Sequence, residues 1–329
     1  MTRKYLRAVL VAGLSASMAL SGCAEQGSGT EPPGGEGGCR SLQVVASTTV
    51  LGDVAENIIG DGGSVETLMP IGVDPHGFQA SARQAASLRE ADLVVVNGLG
   101  LEEGLQDVVD SAAADGIRVL EAGLYVQVLD ISGEVVPVGS GDDGIHGYQE
   151  GSVDPHIWLD PFRMADVATG IGEALAALDV GCAEERRAAA ASYREELLQV
   201  DAEVEHILSV VPAGQRTLVT SHAAFGYFAD RYGFEIVGVI IPGGSTLAEP
   251  SAADLAALVE VLEREGVHAI FAETTQPMDL ANTIADELGA EVAVVSLYTG
   301  SLGAPGSGAE TYIDMLLTDA TLIGGALGE

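Results

Sequence analysis

Val153-Asp154-Pro155-His156-Ile157-Trp158-Leu159-Asp160-Pro161 holds the only tryptophan of the chain and two of its twelve prolines. Its Asp-Pro-His core repeats an earlier tripeptide, Asp74-Pro75-His76. A proline sets its own φ and pushes the residue before it toward an extended conformation, so each tripeptide is a stiff bend that presents an imidazole on its exit side. Asp-Pro is also a common way to start a loop. The pair gains meaning only if a third histidine occurs in a comparable setting.

Outward from this stretch, short β-branched runs alternate with alanine-rich segments of helical spacing. Strands are expected at residues 42–49, 65–69, 93–97 and 118–120, with helices at 51–59, 81–90 and 101–114 between them. Helices at 165–178 and 183–210 follow; the second is long and charged, with Leu197, Leu198, Val204 and Ile207 on one stripe. A second series has strands at 217–220, 235–240, 269–272 and 291–297, and helices at 222–232, 251–265 and 280–288. This order predicts an α/β protein: two similar lobes with mainly parallel sheets, joined by a long helix. The third histidine, His222, lies where the strand at 217–220 gives way to a helix. Ligands of open α/β sheets bind beyond the carboxyl ends of strands. His76 also follows a strand and His156 a short apolar segment, so a cleft between the lobes would receive all three.

The front of the chain is of a different kind. Residues 1–22 carry Arg3, Lys4 and Arg7, no acid, and an apolar run from Ala8 to Leu20, the layout of an export signal. The following Leu20-Ser21-Gly22-Cys23 resembles a lipobox, which makes Cys23 the expected lipidation site and membrane anchor. Residues 23–41 are dominated by Gly, Pro, Ser, Glu and Gln and read as a flexible tether. The domain reading is therefore signal 1–22, tether 23–41, N-terminal lobe 42–181, connecting helix 182–212 and C-terminal lobe 213–329. Cys39 and Cys182 remain after Cys23, and an oxidising compartment allows them to pair. Their spacing leaves open whether they meet.

Fourteen cations against 49 acids give a formal net charge of −35. Loss of the three cations in residues 1–22 leaves eleven against 49, or −38. Such a chain is a poor partner for nucleic acid or anionic ligands. Its negative field favours cations, but nonspecifically and under salt screening.

Taken together, Asp74-Pro75-His76, Asp154 to Pro161, Thr220-Ser221-His222 with Phe225 and Tyr227, Phe271-Ala272-Glu273, and Leu297-Tyr298-Thr299-Gly300-Ser301-Leu302 resemble the cluster A-I solute-binding proteins of metal ABC transporters. The resemblance covers residues 42–328. It implies a rigid pair of lobes, a connecting helix that limits hinge motion, and a metal held between the lobes for delivery to a membrane permease and its ATPase. It also implies a monomeric, extracytoplasmic, membrane-anchored lipoprotein that is not an enzyme. His76, His156 and His222 fall on the family's ligand positions. The family's fourth ligand is often an aspartate where this chain has Gly300. Water, Glu273 or a group from the polar loop 139–152 could complete the shell, and Glu273 also suits a role behind a ligand histidine.

Three neutral imidazoles suit Zn(II), whereas Mn(II) prefers oxygen ligands and higher coordination, so zinc is the expected cargo and manganese the alternative. Copper would also bind three imidazoles tightly. An exported zinc enzyme, with Glu273 as its base, and an adhesin with a structural metal are the rival classes. His146, beside Asp142 and Asp143, is a candidate for loose metal collection. His206 and His268 read as surface positions, and Asp74, Asp154 and Asp160 as residues that cap turns or orient neighbours.

Overall fold

Leu93-Val94-Val95-Val96 is buried along its whole length, as a strand covered on both faces must be. It is β3 in a sheet built from β1 (Leu42–Ala46), β2 (Gly63–Thr67), β3 (Leu93–Val96) and β4 (Arg118–Glu121), in the order β2-β1-β3-β4. All neighbours are parallel. The computed structural model describes residues 39–136, 153–289 and 292–328. The export signal, Cys23, most of the tether and His146 lie outside these residues.

The crossovers of the first sheet include α1 (Thr49–Ile59), α2 (Ala82–Glu90) and α3 (Gln106–Ala114). Thr48 caps α1, and Ser81 with Gln84 forms a reciprocal capping box on α2, so the side chains just before each helix satisfy its free N–H groups. Next come α4 (Pro161–Leu178) and α5 (Ala183–Leu208). The second sheet contains β5 (Thr217–Thr220), β6 (Glu235–Val239), β7 (Ala269–Glu273) and β8 (Ala293–Leu297), again all parallel and in the equivalent order β6-β5-β7-β8. Its helices are α6 (Gly226–Tyr232), α7 (Ala252–Glu265) and α8 (Asp279–Leu288), and α9 (Tyr312–Leu327) closes the described chain.

Several boundaries differ from the sequence expectation. The helix expected at 222–232 starts only at Gly226, because His222 to Phe225 form a turn stabilised by Thr220 Oγ1 and Ala224 N–H on the His222 carbonyl, at 2.7 and 2.8 Å. The helix expected at 101–114 starts at Gln106, after a turn containing Leu99 at φ 58°. Helix α4 begins at Pro161, earlier than expected: proline suits the first helical position, and Asp160 accepts from the N–H groups of Phe162 and Arg163. Helix α9 was not among the expected elements, although Tyr312, Met315, Leu316, Asp319, Ala320 and Ile323 are buried at helical spacing.

The two sheets share one continuous apolar core. Helix α5 packs on α1, α4 and α9 and buries Ala190, Tyr193, Leu197 and Val204 between them. Asp53 on α1 accepts from the backbone N–H of Tyr312 at 3.1 Å, and the Tyr312 hydroxyl donates to the Trp158 carbonyl. These buried contacts resist relative movement of the sheets on this side. At the base, Cys39 and Cys182 form a disulfide. The buried Arg186 pairs with Asp179 at 2.9 Å and donates to the carbonyls of Ile59, Gly62 and Arg40. Residues 39–41, assigned to the tether by composition, are therefore attached to the body.

Candidate metal centre

Both Asp-Pro-His tripeptides fold in the same way. The Asp74 carboxylate accepts the backbone N–H of His76 at 3.1 Å, and that of Asp154 accepts the backbone N–H of His156 at 2.9 Å. This is the local turn that an aspartate two residues upstream favours. The turns bring His76, in the connection after β2, and His156, just after the isolated bridge residue Val153, to one point, and His222 reaches the same point from the turn after β5. The rings are 3%, 2% and 2% exposed, and their centroids lie 4.8–5.4 Å apart.

The ε-nitrogens face one another. His156 Nε2 lies 3.2 Å from His76 Nε2 and 2.9 Å from His222 Nε2. A tetrahedral ion with bonds of about 2.0–2.1 Å would place neighbouring nitrogens about 3.3 Å apart, so these two separations need only widen slightly to fit one, and the three ligand atoms all lie within 4.8 Å of one another.

The opposite sides of the rings explain this convergence. His156 Nδ1 lies 2.7 Å from Asp154 Oδ1, which also accepts a backbone N–H, so the ring nitrogen is the donor. His222 Nδ1 donates to Glu273 Oε1. With protons on Nδ1, the neutral form of each ring turns a bare lone pair toward the same point, an arrangement that a cation stabilises. The other Glu273 oxygen accepts from Thr299 Oγ1 at 2.6 Å, and the Thr299 carbonyl accepts from Trp158 Nε1 at 2.6 Å. Glu273 is thus committed on the far side of the His222 ring and orients it. Among the described residues, His76 Nδ1 has no hydrogen-bond partner.

Electrostatics divide the three rings. Burial, with the neighbouring His156 and His222, pushes His76 down to about 3. Burial also pushes His156 well below the ordinary histidine value. Burial opposes the charged form of His222 too, but the adjacent Glu273 carboxylate outweighs it and the net shift is upward. Glu273 shifts down for the reciprocal reason, with burial opposing. Burial pushes Asp154 up to about 8, although the N–H groups of His156 and Gly226 and the charge of His222 work against that rise.

His206 and His268 are exposed, apart from this cluster. Gly300 follows β8 and contributes no carboxylate. A Cβ there would lie 3.1 Å from Pro75 Cδ and 3.2 Å from Thr275 Oγ1, so glycine lets the Pro75-His76 turn approach closely. Gly226 is a supporting position that the sequence reading does not single out: any side chain there would meet the Asp154 carboxylate. Thr299, the link between Glu273 and Trp158, is another. Only its place next to Gly300 in the Leu297 to Leu302 segment hints at it.

Known proteins share this arrangement of lobes. The chain is 31% identical over 300 residues to the manganese-binding lipoprotein MntA of Halalkalibacterium halodurans, covering 91% of each chain. It is 31% identical over 288 residues to the zinc-binding protein TroA of Treponema pallidum, covering 86% of this chain and 88% of TroA. The solved structure of the periplasmic zinc binding protein TroA from Treponema pallidum superposes with a TM-score of 0.76 at 29% identity, over 88% of this chain and all of that one. Residues 44–326 match the family described as zinc-uptake complex component A, periplasmic, and the chain belongs to that family.

Proposed function

We propose that this protein is an extracytoplasmic metal receptor that captures Zn(II) between its lobes at His76, His156 and His222 and delivers it to an ABC permease driven by its ATPase. The observation that carries this reading is the convergence of three buried ε-nitrogens, two of them on rings whose Nδ1 donates to a buried carboxylate. Zinc suits a nitrogen set to which the described residues add no carboxylate on the converging side, and Glu273 acts from behind His222. Water or another small donor completes the shell in place of the carboxylate missing at Gly300. Residues 42–181 and 213–329 act as the two lobes and 182–212 as their connector. Cys23 carries the lipid that holds the protein to the membrane, and the protein works as a monomer.

Mn(II) is the second reading, supported by the similarity to a protein named as manganese-binding over 91% of its length. Against an exported zinc hydrolase, Glu273 is engaged on both oxygens and faces away from the point where a metal-bound water would sit. The test is metal content by mass spectrometry and competition against chelators for the mature protein, with zinc, manganese and copper in parallel. One tightly held zinc per chain, lost in His222→Ala, is the expected result. Preferential manganese would shift the cargo, and failure to hold any metal would remove the receptor reading.

A further inference from the structure

Residues 241–250, between β6 and Ser251 at the start of α7, contain no helix or strand, yet they touch the immediate neighbours of all three histidines. Ile241 N–H donates to the Ser221 carbonyl at 2.7 Å, and Ala223 N–H to that of Gly243 at 3.3 Å, on either side of His222. Gly244 lies against Ile131 and Pro155, the latter adjacent to His156. Leu247 lies where a side chain at Gly77, beside His76, would meet it, and Ser245 Oγ donates to Glu103 at 3.2 Å. Thr246 Oγ1 donates to Asp74 Oδ2, which also accepts from Gln276 Nε2 at 2.7 Å.

With the rings only 2–3% exposed, an ion must displace something to pass. The opposite side of the cluster is closed by buried bonds, including Trp158 to Thr299 and Leu302 N–H to Thr49 at 2.9 Å. The 241–250 segment is held by part-exposed side-chain bonds and carries Leu247 at 57% exposure, so it is the cheaper side to open.

We propose that residues 241–250 are a strap across the histidine cluster and that Asp74 is its catch. Asp74 is a positioning residue. One of its oxygens holds the backbone of His76, and the other fastens the strap and Gln276 of the opposite lobe to that turn. His76, alone of the three in having no partner on Nδ1 among the described residues, depends on this catch for its placement. The catch sets how fast metal leaves. This inference rests on the receptor reading above.

The experiment is stopped-flow release of zinc into excess chelator, with capture rates measured alongside, for the unaltered mature protein and for Thr246→Val, Gln276→Leu, the double variant and Thr246→Ser. A hydrogen bond to a charged acceptor is worth about a factor of ten or more. The double variant should therefore release zinc about ten- to a hundredfold faster, with capture not slowed, and Thr246→Ser should stay within about threefold of the unaltered protein. Release unchanged in the double variant would overturn the catch. So would Thr246→Ser matching Thr246→Val, because shape rather than the hydrogen bond would then matter. If the unaltered protein held no zinc, the receptor reading would fall and take the catch with it.

Discussion

The loop around His156 and the turn around His222 aim the same nitrogen at the same point, but their supports come from very different distances along the chain. Asp154 is two residues from His156, and one carboxylate oxygen holds both the backbone and the ring. Glu273 is 51 residues from His222, on another strand, and is itself held by Thr299 and through it by Trp158. The first support is a property of a tripeptide and the second a property of a sheet. In His76 the tripeptide is the same, but its Nδ1 has no partner among the described residues, so an Asp-Pro-His turn by itself orients the backbone without fixing the ring.

The largest effect that could break this comparison is removal of a ring. Under the receptor reading, His156→Ala and His222→Ala should each lower zinc affinity by more than about a hundredfold in chelator competition, while His206→Ala stays within about twofold. Equal losses at all three positions would mean that the cluster is not the site.

Next in size are the carboxylates. Glu273→Gln should weaken zinc binding by about ten- to a hundredfold, the usual range for a partner behind a ligand histidine. Asp154→Asn should cost less, because the amide oxygen can still accept from the neighbouring His156 backbone and ring. If the asparagine variant proved the worse of the two, the local support would be the dominant one and the comparison would invert.

Acidity sharpens the contrast further. The raised pKa of His222 means that its charged pairing with Glu273 stabilises the metal-free protein fully below the unfolded histidine value of about 6.5, and that this contribution is lost as pH rises through the higher folded value. Under the receptor reading, zinc must displace that proton. His76, at about 3, and His156, well below its ordinary value, are already neutral. Affinity should therefore fall by about tenfold per pH unit below the His222 value, the slope of one proton, in competition titrations corrected for the chelator. A slope near three would mean that the rings titrate alike.

The smallest expected effect on the site comes from a constraint that shares no residue with it. The Cys39–Cys182 disulfide closes a separation of 143 residues, so Cys39→Ser should lower unfolding stability by about 2–4 kcal/mol in denaturant titration. Zinc affinity at 25 °C should stay within about twofold. A larger change in affinity would couple the base of the molecule to the cluster.

Much of this molecule is legible along the chain. Alternating β-branched and helical segments specify two parallel α/β sheets because side-chain periodicity reports which faces are buried, and Asp-Pro-His is a stiff turn wherever it occurs. The length of the turn before α6 was less legible, since His222 to Phe225 look helical in composition and are held out of the helix by Thr220. Helix α9 carried a readable spacing, but its role depends on Asp53 and Trp158, more than 150 residues away.

The fold class and the three histidines worth watching are readable along the chain, because both follow from local stereochemistry and burial patterns. Which ring nitrogens converge, that Glu273 stands behind His222, that Cys39 meets Cys182, and that Thr246 and Gln276 bond Asp74 from the opposite lobe emerge only in three dimensions. Each of these depends on the relative placement of separate strands and loops, which the packing of a shared core sets and no window of sequence encodes.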